Sequence, residues 1–138
     1  MARRCIKLKG QPQQSEEYAA SVAITPGMLL EVESAGTIKP HSSADAAASP
    51  IFALEREEMG KDIDTAYAIG DTVKSGHFHP GCRVNALVPS GQKLARGAYV
   101  QSNGDGKVKA VASGTRLGFV VEATGAVTAD QRVIIELV

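Results

Sequence analysis

Apolar residues fall along this chain in short runs, each closed by glycine, proline or a small polar residue, and where they are periodic they repeat every second position. That is the pattern of strands with one buried face, not of helices. After Pro26-Gly27 comes Met28-Leu29-Leu30-Glu31-Val32-Glu33, and Ser34-Ala35-Gly36 turns the chain into Thr37-Ile38-Lys39-Pro40. An apolar run, a glycine turn and a short return run predict a β-hairpin. A second hairpin is expected after Gly97, where Ala98 to Ser102 and Lys107 to Ala110 flank Asn103-Gly104-Asp105-Gly106. Asn-Gly and Asp-Gly readily supply the positive φ of a tight turn.

The two hairpins align without a gap. Gly27 falls on Gly97, Leu30 on Val100, Gly36 on Gly106, Ile38 on Val108 and Lys39 on Lys109. This spacing fits either an internal duplication or two uses of one common turn. Further strands are expected at Ile51 to Glu55, at Gly70 to Lys74 and at Cys82 to Val88. In the last of these, Val84, Ala86 and Val88 share one face and Arg83, Asn85 and Leu87 the other. Leu117 to Glu122 and Arg132 to Val138 complete the set. Ser/Ala-rich His41 to Pro50 reads as a loop with at most a helical turn. Charged Arg56 to Ala68 reads as a loop with at most one short helix near Asp64 to Tyr67. The expected core is Leu30, Val32, Ile51, Ala53, Val84, Ala86, Val88, Val120 and Ile134.

Residues 1–20 differ from the rest of the chain. Lys9 to Glu17 is polar and broken by Gly10 and Pro12, so it cannot bury enough apolar surface to fold alone. Cys5-Ile6-Lys7-Leu8 ahead of it alternates weakly. The expectation is an extended N-terminal arm over 1–20 that orders against a partner, and then one β domain over 21–138. The fold class is all-β, a small barrel or sandwich of short antiparallel strands.

Composition narrows the function. Fifteen Lys+Arg balance fifteen Asp+Glu, so there is no basic excess to draw nucleic acid or an anionic membrane. Aromatics are only 4% of the chain, too few for a base- or sugar-stacking platform. No apolar run approaches the about 20 residues of a membrane span. No apolar stretch comes after the basic start, so synthesis in the cytoplasm, with Cys5 and Cys82 reduced, is expected.

Candidate chemistry is sparse. His77, His79 and Cys82 are zinc-type ligands in a short segment, but a structural site takes four and no fourth is evident. Glu55, Glu57, Glu58, Asp62 and Asp64 crowd a charged loop with no nucleophile beside them. There is no Gly-x-Ser-x-Gly elbow and no phosphate-cradling glycine loop. The expectation is no enzyme activity and no cofactor.

Taken in order, Ala23 to Glu31, Ala35 to Ser42, Pro50 to Glu55, Gly60 to Asp71, Ala86 to Val88 and Gly97 to Lys107 resemble the capsid decoration, or cement, proteins of tailed bacteriophages. Each motif is only a turn or a strand, and their order carries the likeness from about Val22 to Val138. The resemblance implies a β-barrel-like domain on the outside of a mature head, gathered as a homotrimer and stapling neighbouring copies of the major capsid protein. It implies no nucleic-acid or membrane partner. The residues assigned to capsid or subunit contact are Arg3, Arg4, Ile6 and Leu8 in the arm, and His77, Phe78, His79 and Pro80 at a loop tip. Two other readings of the residues stand beside it. One is a carrier or adaptor subunit of an enzyme complex, whose hairpin tip should bear a modifiable lysine, and the tip 103–106 does not. The other is a zinc module built on His77, His79 and Cys82.

Overall fold

The computed structural model describes residues 5–10, 13–14, 17–56, 59–111, 113–123 and 131–138. Among them are thirteen strands and no α-helix. One six-stranded antiparallel sheet is formed, in spatial order, by β1 (Lys7–Lys9), β9 (Arg83–Val88), β13 (Gln131–Leu137), β12 (Gly118–Val120), β10 (Tyr99–Ser102) and β11 (Val108–Ala110). A three-stranded sheet joins β2 (Gln13–Gln14), β8 (Ser75–His77) and β6 (Ile51–Ala53). A four-stranded sheet joins β4 (Leu30–Val32), β5 (Thr37–Pro40), β3 (Tyr18–Ala20) and β7 (Thr72–Val73). All pairings are antiparallel except β3 with β5. The six-stranded sheet curls until β11 lies against β9 without pairing to it. The result is a sandwich of sheets, and the closed barrel considered from sequence is not formed.

Both expected hairpins are present, and their registers coincide. Leu30, Glu31 and Val32 face Pro40, Lys39 and Ile38, and adding 70 to each number gives the pairs of β10 and β11. The bonds around them match too. Met28 N–H donates to Thr25 and Ala98 to Ala95; His41 donates to Leu29 and Val111 to Tyr99; Glu33 donates to Thr37 and Asn103 to Lys107.

The correspondence extends beyond the hairpins. The Leu29–Phe52 bridge matches the Tyr99–Phe119 pair. Pairing of β6 with β8 matches pairing of β12 with β13. Pairing of β2 with β8 and of β3 with β7 together match the single long ladder of β9 with β13. Thus 13–77 and 83–137 repeat one order of strands, with β2 and β3 together standing for β9 and β7 and β8 together for β13; β1 stands outside the repeat, and the parallel pairing of β3 with β5 has no counterpart among the described residues. Of the two readings of the hairpin spacing, the structure supports duplication.

Two apolar clusters hold the sandwich. The larger contains Ile6, Leu29, Phe52, Phe78, Val84, Ala86, Val88, Val100, Val108, Val120, Val133 and Ile135; the smaller contains Ala20, Ile24, Leu30, Ile38, Ala53, Tyr67 and Val73. Of the expected core, Leu30, Ala53, Val84, Ala86, Val88, Val120 and Ile134 are buried, and Ile51 is half-buried. Val32 is 43% exposed, because β4 is the outer strand of its sheet and nothing among the described residues covers its end. Asn85 and Leu87 are buried as well, so β9 is covered on both faces and not on one as alternation suggested. The chain entering β1 and the Pro26-Gly27 turn crowd that second face: Asn85 donates to Cys5 and Ile6 carbonyls, and Leu87 N–H to Gly27. No helix forms near Asp64; the Asp62 side chain instead caps a turn by accepting from Asp64 N–H and Thr65.

Candidate functional site

The N-terminal segment is extended, but it orders against its own chain. β1 adds to the edge of β9, with Lys7 opposite Val84 and Lys9 opposite Arg83. β2 pairs with β8, with Gln13 opposite His77, and β3 enters the four-stranded sheet. Ile6 is fully buried in the larger cluster, and its N–H donates to Glu55. This corrects the expectation of a loose arm with Ile6 as an outward anchor: strand addition at β9 turns the side chain inward. Leu8 is half-buried. Arg3 and Arg4 lie outside the described residues.

The loop tip is corrected in the same sense at one position. Phe78 is 1% exposed and meets Phe52 edge to face at 5.7 Å, so it is a core residue and not a surface anchor. Its neighbours remain outside: His77, His79 and Pro80 are exposed, and the two imidazoles lie nearly parallel with centroids 6.4 Å apart. Cys82 turns inward, and a side chain at Gly10 would strike its Sγ. The three residues of the alternative zinc reading therefore do not converge, and among the described residues no cluster of three ligand-type side chains forms. Both cysteines are free thiols.

Arm and tip, separate in sequence, are adjacent in space. The Gly10–Cys82 approach and the Gln13–His77 pairing place Lys7, Leu8 and Lys9 on the same end of the molecule as His77, His79 and Pro80. This end carries a cationic edge, with Lys9 and Arg83 both near Glu136 at 3.8 and 3.0 Å.

Two polar groupings were not visible in the sequence. His41 Nδ1 lies 2.7 Å from Ser102 Oγ, an arrangement reminiscent of a base and nucleophile. Both residues are buried, and Ser102 Oγ also accepts from Gly104 N–H, so the pair fastens the 41–50 loop to β10. Arg132 reaches from β13 to Pro26 O at 2.9 Å, to Ile63 O and to Asp64 at 3.1 Å, latching the two repeats together. Only the folded topology brings such distant residues into contact. A cleft of about 200 Å³ lies beside Tyr67; its Arg56 stacks on that ring and donates to Thr72 O, which commits the guanidinium to structure. On the four-stranded sheet, Glu31 and Glu33 ionise below the usual carboxylate range. Hydrogen bonds from Ser42 to Glu31, and from Ser21 and then Thr37 to Glu33, are the main causes.

No family model matches the chain, and no curated protein matches it. Among solved structures it is similar to the head fiber gp8.5 N base in bacteriophage phi29, with a TM-score of 0.58 and 14% identity. The match covers 88% of this chain and 91% of that one. At this identity the likeness establishes a shared fold, extending over nearly all of both chains.

Proposed function

We propose that this chain is a structural protein of a tailed-phage head, which docks on the outside of the assembled shell and bridges neighbouring copies of the major capsid protein. The observation that carries the reading is the fold shared with a head fiber base across 88% of this chain. The order of turn and strand motifs, which resembles that of decoration proteins, points the same way. The role needs surfaces and not a catalytic site, and it calls for no cofactor.

In this reading the end formed by β1 and the His77–Pro80 tip meets the capsid. Lys7, Lys9, His77, His79 and Pro80 supply exposed contacts there. Gathering as a trimer repeats each contact three times, so modest contacts add through avidity. Heads lacking the protein provide the test. Adding it back should raise the temperature at which the heads release their DNA, and His77→Ala with His79→Ala and Pro80→Ala should weaken the effect at unchanged protein stability. Saturated heads that open at the same temperature as bare ones would contradict the bridging role.

A further inference from the structure

The duplication says which surfaces are built for another copy of this chain. Within the chain, the first repeat receives the hairpin tip of the second. Leu29 N–H donates to Gly106 O at 2.7 Å, and Gly106 N–H donates to His41 O at 3.1 Å. A Cβ on Gly106 would sit 2.7 Å from that of Pro40, and one on Gly104 would sit 3.1 Å from Ala44 N. Asp45 pairs with Lys109 at 2.8 Å. The receiving surface is thus Met28 and Leu29 with Pro40 to Asp45, and the donated element is 102–109.

Shifting each by 70 residues names the counterparts. The receiving surface becomes Ala98 and Tyr99 with Ala110 and Val111, and the donated tip becomes 32–39; the counterpart stretch at Gly114 and Thr115 is already packed against the chain's own Asp45, whose carbonyl accepts from Thr115 N–H. Gly106 is packed against Pro40 and Met28, whereas at Gly36 an added Cβ would meet nothing within 4 Å. Val32 on the tip and Tyr99 on the receiving surface are each 43% exposed. Exposed Arg116 stacks over Tyr99 at 4.4 Å, and an aromatic with a stacked arginine is a typical anchor of a protein interface.

Charge favours the same union. From residue 11 to 75 the chain has eleven carboxylates against four Lys or Arg, and the rest of the chain has four against eleven. The first stretch contains all of the four-stranded sheet, and the rest contains all of the six-stranded one. The open tip carries Glu33, with Glu31 alongside, and the open receiving surface is flanked by Arg96 and Arg116.

We infer that copies of this chain associate head to tail, the 32–39 tip of one seating on the surface formed by Ala98, Tyr99, Ala110 and Val111 of the next, so that the contact joining the repeats within a chain is repeated between chains. Such a heterologous contact closes into a ring or runs on as a filament. The inference deepens the proposed self-association and rests on it, but it does not require that the ring sit on a capsid.

Two variants test it in sedimentation velocity. Ser34→Arg blocks the tip at an exposed turn position, and Tyr99→Ala with Arg116→Ala strips the receiving surface. Wild-type protein should form a species larger than a dimer that loosens at least about tenfold in Kd when salt rises from about 50 to about 500 mM. Each variant alone should be monomeric with an unchanged melting temperature. Their equimolar mixture should stop at a dimer, because only one intact tip and one intact receiving surface remain. Wild-type protein that stays monomeric, variants that assemble like wild type, or a mixture that stays monomeric would each overturn the inference. Head binding measured in parallel separates the readings, since association without head binding removes the capsid role and leaves the interface standing.

Discussion

At the scale of single residues, the positions that looked most functional divide by where the backbone turns them. Ile6 and Phe78 read in sequence as anchors for a partner and are instead core. Each sits beside polar or turn-forming residues, and its burial depends on strands far away in the chain. Ile6→Ala should cost about 2–5 kcal/mol and Phe78→Ala about 3–5 kcal/mol, read as falls in the urea midpoint at unchanged slope. A change below about 1 kcal/mol at either site would mean the side chain is not packed as described. Glu33 offers a pH readout. Its folded carboxyl lies below the usual range, so its stabilising effect is full above the unfolded value and is lost as acid takes the pH through the folded one. Ser21→Ala should therefore narrow the stability gap between neutral and acid pH, while leaving stability in strong acid unchanged.

At the scale of elements, the hairpins were legible because their chemistry is local: glycine where φ is positive, and apolar residues two apart on each arm. Gly36 and Gly106 show how context separates equal local signals. Both have positive φ, 83° and 82°, so alanine at either is strained. Only at Gly106 does the new methyl also collide with Pro40. Gly106→Ala should lower stability by at least about 1 kcal/mol more than Gly36→Ala, measured on monomeric protein. Equal losses would contradict the packing of the 102–109 tip. What the sequence hid was where the arm docks. Lys9 to Glu17 is too polar to signal a strand, and β1 and β2 exist because β9 and β8 present free edges to them. The fuller repeat was hidden for a related reason: the two units share turns and apolar spacing, whereas their charged residues have diverged in sign.

At the scale of the whole molecule, the arm is part of the fold. Deleting residues 1–10 removes β1 and Ile6 and should lower the melting temperature markedly, so a truncation cannot separate docking from folding. Point variants at exposed positions are the fair probe. The all-β class and the sandwich match strand patterning, while the adjacency of residues 7–9 and 77–80 comes only from the fold. The sharpest test of capsid docking is co-sedimentation with expanded heads that lack this protein. Saturable binding at a fixed ratio to the major capsid protein is expected; no binding at micromolar concentration to intact, expanded heads would contradict it.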